Sequence, residues 1–173
     1  MAERFLDMLD EAKNSLGCTE EVVDIVLRNP KRLDELYEIF FQPNEWARMR
    51  AASSFKRIWR ADPELFEPYK QRWIDDVSKI KQASLNWTFS QMCTDLGDTL
   101  DSKQRTKCKA RMKKYLETND DWIVQNTTIE ALGEWARDDK RLATWLKPEL
   151  KRLSKLDKKS VAKRANKYLE ALS

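Results

Sequence analysis

The stretch WIVQNTTIEALGEW, residues 122–135, places Val124, Thr128, Ala131, Leu132 and Trp135 at i, i+4, i+7, i+8 and i+11. That spacing lines one face of an α-helix. The same stripe occurs three more times. Ala47, Ala51, Ser54, Phe55 and Ile58 form one copy, and Leu85, Phe89, Met92, Cys93 and Leu96 another. Val161, Ala165, Tyr168, Leu169 and Leu172 form the last. Successive stripes start 38, 39 and 37 residues apart. A lone helix pair cannot bury such a stripe, whereas stacked neighbours can, at ~25 cal/mol per Å² of apolar surface removed from water. A period of this length predicts an all-α solenoid.

A second set of helices repeats between the stripes. Leu65, Phe66, Tyr69, Trp73, Ile74 and Val77 form one amphipathic set; Met112, Tyr115 and Leu116 close the next; Leu142, Trp145, Leu146, Leu150, Leu153 and Leu156 form a third. Ile74, Met112 and Leu150 are 38 residues apart in turn, as are Val77, Tyr115 and Leu153. Each repeat is therefore a pair: a first helix, A, and a stripe-bearing second helix, B. Pro43-Asn44, Asp62-Pro63, Gly97-Asp98, Asp101-Ser102, Asn119 to Asp121, Asp138-Asp139 and Asp157 punctuate the chain. They supply N-caps, a proline at a first helical position and helix stops. The gaps are short, so successive helices run antiparallel. The first 41 residues read as helices near 4–16, 20–28 and 31–41. The expected organisation is one domain over 1–173, with a divergent capping unit at 1–29 and repeats at 30–61, 62–98, 99–137 and 138–173, about four to five helix pairs.

Composition narrows the chemistry. The chain has 173 residues, 36% charged and 41% hydrophobic, with 3 Gly and 5 Pro, which fits a helix-rich protein. It has no histidine, which removes histidine acid–base work, Ser-His-Asp and Cys-His nucleophiles and histidine metal sites. Cys18, Cys93 and Cys108 are too widely spaced for a CxxC pair, and Cys93 falls on a stripe as a small buried hydrophobe. Gly17, Gly97 and Gly133 are isolated, so no phosphate loop is present. No cofactor is expected. No apolar run reaches the length of a membrane span, and Met1 to Leu9 lacks the pattern of a signal peptide. The default expectation is a cytoplasmic protein with no membrane partner.

Residues 142–172 resemble a HEAT repeat, through Leu146-x-Pro148-x-Leu150-x-x-Leu153, then Asp157, Val161, Ala165, Leu169 and Leu172. Leu116, Asp120, Asp121, Trp122, Val124, Gln125, Thr128, Ala131, Leu132 and Gly133 match the same pattern, with Gln125 where the family often has Arg. Residues from Phe66-x-Pro68 to Leu96 are similar but looser, with no Asp at the turn. The resemblance covers roughly residues 30–173. It implies a right-handed α-α superhelix whose A helices form the outer layer and whose B helices line the concave side. The family hosts scaffolds, adaptors and a few enzymes. Some HEAT-like proteins are alkylpurine DNA glycosylases, and Asp121-Trp122-Ile123-Val124-Gln125 is similar to their Trp-x-x-Arg helix start, with Gln125 in place of Arg.

Stripe register also assigns sides. Positions i+2, i+3, i+6 and i+10 from each stripe start point away from the core: Met49, Arg50, Ser53, Arg57; Trp87, Thr88, Gln91, Asp95; Asn126, Thr127, Glu130, Glu134; Lys163, Arg164, Lys167, Ala171. From these, Arg50, Arg57, Trp87, Gln91, Asn126, Glu130, Lys163, Arg164 and Lys167 are the candidate binding residues. By helix the charges read +2, −1, −2 and +3. Evenly spaced phosphates would demand a uniformly basic groove, so the sign changes favour a protein or peptide on the concave face. Trp46 and Trp122, each 13 residues before Trp59 and Trp135, read as packing plugs or as aromatic lining of a groove.

The chain is also polarised. Residues 1–38 carry ten acids and five bases, residues 140–167 eleven bases and two acids, and residues 103–114 seven bases and no acid. A basic stripe of this size can attract nucleic acid or an acidic partner. The expected function is a non-enzymatic scaffold or adaptor, with nucleic-acid binding through the basic C-terminal half as the other reading.

Overall fold

The computed structural model describes residues 4–10 and 17–173. Every regular element among them is helical. In chain order these are α1 (Phe5–Leu9), α2 (Thr19–Arg28), α3 (Leu33–Glu38), α4 (Glu45–Ala61), α5 (Pro63–Phe66), α6 (Lys70–Asp75), α7 (Ala83–Leu96), α8 (Ser102–Thr118), α9 (Trp122–Ala136), α10 (Lys140–Leu153) and α11 (Lys159–Ala171), with short 3₁₀ turns between several of them. The helix expected near 4–16 is seen as α1, and its continuation lies outside the described residues. The chain divides into two compact units, Met1–Thr88 and Phe89–Ser173, with the division inside α7.

In the first unit α4 is the central helix, packed against α1, α2, α3 and α5. Its stripe, Ala47, Ala51, Ser54, Phe55 and Ile58, is at most 1% exposed. Around Phe55 gather Tyr37, Phe40, Phe66, Tyr69 and Trp73, with ring centroids 5.2–6.3 Å apart. Such ring pairs contribute about 0.5–1.5 kcal/mol each beyond their buried area. Two A helices expected as continuous are broken. Residues 30–41 become a turn, α3 and a turn; residues 63–79 become α5, a turn through Pro68, α6 and a turn. Proline cannot donate its missing N–H to a continuing helix. Here the aromatic cluster, more than helix length, holds these segments.

In the second unit α9 packs against α8, α10 and α11. Its stripe is buried throughout, with Trp135 the most exposed at 5%. Phe89, Met92, Cys93 and Leu96 of α7 and Val161, Ala165 and Tyr168 of α11 are buried too, while Leu169 and Leu172 are half-buried. The aspartates that the sequence marks as punctuation act as caps. Asp101 accepts from the Lys103 and Gln104 amides at 2.8 Å while Gln104 accepts from the Asp101 amide, a capping box. Asp121 accepts from Ile123 and Val124, and Asp139 from Leu142. Gly97 does not enter the left-handed region; α7 instead runs into a 3₁₀ turn at Gly97–Thr99. α10 passes through Pro148 without ending.

Contacts 34–38 residues apart tie neighbouring helix pairs together. In the second unit the Ser90 and Thr128 hydroxyls meet at 2.9 Å, 38 residues apart. Asn126 donates to Ser160 at 3.2 Å, Glu130 meets Arg164 at 2.5 Å, and the Tyr168 hydroxyl donates to Glu134 at 2.7 Å, all 34 residues apart. This constant offset makes α9 and α11 parallel neighbours with α10 returning between them. In the first unit Arg48 donates to Gln82 at 2.6 Å, and Tyr69 to Asp34 at 2.7 Å, 34 and 35 residues apart. This is the packing of an all-α, ARM/HEAT-like helical repeat.

Candidate binding face

The outward positions divide into three environments. Arg50 is fully buried and donates to the Leu9 carbonyl at 2.6 Å; Thr88 and Asn126 are buried as well. These depart from the expected outward placement. The reason is lateral packing: a B helix is flanked by neighbouring helices as well as backed by its A helix, so positions beside the stripe are covered too. Arg50 reaches across to the end of α1, beside the left-handed turn at Gly17, and Asn126 reaches across to α11.

A second group is partly exposed but engaged within the protein. Arg57 pairs with Glu20 at 2.9 Å, and Glu130 with Arg164. Trp87 and Gln91 are half-buried. The Tyr168 hydroxyl, with Arg137 beside it, holds the Glu134 carboxyl below the usual range, the hydroxyl hydrogen bond being the largest cause. Burial and that same carboxylate push the Tyr168 phenol up.

The third group is open. Lys163 and Lys167 are exposed on α11, in line with exposed Lys159 one turn earlier. Trp122, at the start of α9, is 53% exposed. It is therefore not a packing plug, and stripe register alone misses it because it precedes the stripe by two residues. The signal in the sequence is its place at a helix entrance, next to the N-cap Asp121. One turn after Trp122, the buried Asn126 amide has a partner at one end only; its Oδ1 meets no donor. Asn126 and Ser160 join the entrances of α9 and α11, so Trp122, Asn126, Lys159 and Lys163 belong to one corner of the second unit.

A cleft of about 570 Å³ in the same unit is lined by Arg105, Lys109, Trp135, Asp139 and Lys140, among others. Its chemistry is already occupied. The Arg105 guanidinium stands 4.6 Å over the Trp135 ring and donates to the Gly97 carbonyl. Asp139 caps α10 and pairs with Lys109 at 2.9 Å, and the Leu142 amide first and Lys109 second lower its pKa. Among the described residues no cluster of three or more Cys, Asp or Glu could hold a metal ion. Cys93 and Cys108 are buried together, and burial pushes the Cys93 thiol well up, away from thiolate chemistry.

No protein-family model matches the chain, and no curated protein matches it. Among solved structures, a designed armadillo repeat protein is similar at 11% identity over 98% of each chain, with a TM-score of 0.42. No described helix is long and apolar enough to cross a membrane.

Proposed function

We propose that this chain is a non-enzymatic repeat scaffold that binds a protein or peptide on the face formed by the B helices α9 and α11 of its second unit. One observation carries the reading: Trp122 stands exposed at the entrance of α9, which the Asn126–Ser160 hydrogen bond joins to the entrance of α11, the helix that carries the exposed Lys159, Lys163 and Lys167. An exposed Trp is a strong binding anchor. The lysine row adds attraction for acidic side chains. The fitting ligand is an extended peptide with an apolar residue next to acidic ones. Arg50 and Arg57 lie outside this reading, because both are committed to contacts within the protein.

Selection of peptides from a random display library against the intact chain tests it. Acidic peptides carrying an apolar residue should enrich. Trp122→Ala and, separately, Lys159→Glu/Lys163→Glu/Lys167→Glu should weaken the selected peptides about tenfold or more, the loss of a hot-spot anchor. Equal binding by both variants would sink the proposal.

A further inference from the structure

Among the described residues, Phe41 and Trp122 are the large hydrophobics left exposed, at 51% and 53%. Both stand at the turn into a stripe-bearing helix, Phe41 four residues before α4 and Trp122 as the first residue of α9. The Phe41 ring leans on buried Tyr37, with centroids 5.6 Å apart, and the Arg72 guanidinium lies 4.0 Å from the centroid of the same Tyr37 ring. Carboxylates surround this group: Asp34 and Glu38 lie 3.8 and 3.7 Å from Arg72, and Asp76 accepts from the Tyr37 hydroxyl at 3.4 Å. From Leu33 to Ala47 the chain carries four acids and no base.

Tyr37 thus braces Phe41 from one side, so docking of the open side loses little rotamer freedom. Past Phe41 the backbone runs extended, with φ, ψ of −79°, 154° at Gln42 and −73°, 113° at Asn44, and reaches the exposed Glu45. An apolar side chain, an extended stretch and flanking acids together describe the ligand that fits the Trp122 corner. That corner has the complementary charge. Lys158, Lys159 and Lys163 are exposed at the entrance of α11. The acids beside Trp122 are Asp120 and Asp121. The Asp121 carboxylate is engaged by the Ile123 and Val124 amides, and the Lys158 ammonium donates to the Asp120 carbonyl.

We infer that the partner of the Trp122 corner is a second copy of this chain, which docks its Phe41 turn there. The inference rests on the reading of that corner as a binding face. Two aromatic side chains then cover each other, and carboxylates of one copy meet lysines of the other, which steers the encounter. The two patches are different surfaces, so the contact is heterologous. Each copy offers one Phe41 turn and one Trp122 corner, and assembly continues beyond two copies unless a ring closes. Symmetric pairing is disfavoured. Trp122 against Trp122 sets the lysines of two α11 helices face to face, Phe41 against Phe41 does the same with carboxylates, and like charges oppose both. A contact of peptide size belongs to the class of small interfaces, so the association is micromolar or weaker.

Sedimentation velocity of the intact chain from about 10 μM to about 1 mM tests the inference. The wild type should pass from monomer to dimer and larger species, and ~0.5 M salt should shift it back towards monomer. Phe41→Ser and Trp122→Ala should each stay monomeric, with folding checked by circular dichroism melts. If either melts early, Glu38→Lys/Glu45→Lys and Lys159→Glu/Lys163→Glu, all at exposed positions, take their places. A one-to-one mixture of the two variants should give a dimer and nothing larger. The intact Trp122 corner of one receives the intact Phe41 turn of the other, and the remaining two faces are blocked. A wild type that stays monomeric throughout, a mixture that stays monomeric where the wild type assembles, or variants that assemble as strongly as the wild type would each overturn the inference. Selected acidic peptides that disperse the assembly support both this inference and the reading beneath it. Peptides bound at the Trp122 corner of a chain that never assembles overturn the inference and leave that reading standing.

Discussion

The ring of Tyr168 lies against the backbone of Gly133. A Cβ built at residue 133 would come within 2.3 Å of Tyr168 Cδ1 and 2.6 Å of Cε1 and Cγ. Both residues are buried, so neither the ring nor α9 has room to yield. In a solvent-exposed helix Gly→Ala stabilises by up to about 1 kcal/mol. Here overpacking reverses the sign. Gly133→Ala should destabilise by about 1–3 kcal/mol or more, read as a lower urea midpoint at unchanged slope. Gly97→Ala is its control, since a Cβ there would meet only Trp135 Nε1 at 3.6 Å, an ordinary contact.

The stripe is legible in sequence because apolar side chains recur at helical spacing, and each stripe is buried except at Leu169 and Leu172. The pairing of A and B helices is legible for the same reason. The sides of a B helix are not. Helical register says how far Arg50 and Asn126 turn from the core, but not that α1 or α11 stands there to cover them. Glu130 and Arg164 read as opposite charges facing a groove, whereas the parallel packing of α9 and α11 makes them partners. Trp122 is legible as a tryptophan at a helix entrance, but its exposure is not, because it depends on which helices flank that entrance. Pro68 and Pro148 show the same limit: one sits between broken segments, the other inside a continuous helix, and the surrounding packing differs.

Three tyrosines donate into carboxylates, and each phenol is pushed up. Burial is the largest cause for Tyr37, Tyr69 and Tyr168, with Asp76, Asp34 and Glu134 adding to it; Tyr37 reaches about 12. The neutral phenol is the native form, so this stability is present below the ordinary value of 10 and is lost as pH rises through the raised values. Absorbance at the tyrosinate band should show these three silent near pH 11 in the folded protein and ionising together with alkaline unfolding. Gradual ionisation of all four tyrosines near pH 10 before unfolding would contradict it.

Thiol reactivity should separate the cysteines by burial. Cys93 and Cys108 are buried and Cys18 is half-buried. A thiol needs both access and thiolate character to react, and burial denies Cys93 both. A water-soluble aromatic disulfide reagent at pH 8 should label one thiol per native chain rapidly and all three in denaturant. The fast reaction should vanish in Cys18→Ser. Rapid native labelling of Cys93 or Cys108 would mean that the α7–α8 packing opens readily.

Glu130 and Arg164 allow a cohesive role to be told from a ligand-binding one. Their side chains are 44% and 33% exposed, so solvent screening limits the pair to roughly 0.2–1 kcal/mol. Glu130→Arg and Arg164→Glu should each lower stability, because each sets like charges across the α9–α11 contact. The exchanged double variant should recover most of the loss, and the double-mutant cycle reads the coupling directly. Its effect on peptide binding carries the second half of the test. If the pair serves only to hold α11 against α9, the exchanged protein keeps the affinity conferred by Trp122 and the Lys159, Lys163, Lys167 row. If the exchange restores stability while abolishing peptide binding, the two charges face the ligand as well, and the binding face extends from the Trp122 corner along the seam between the two helices.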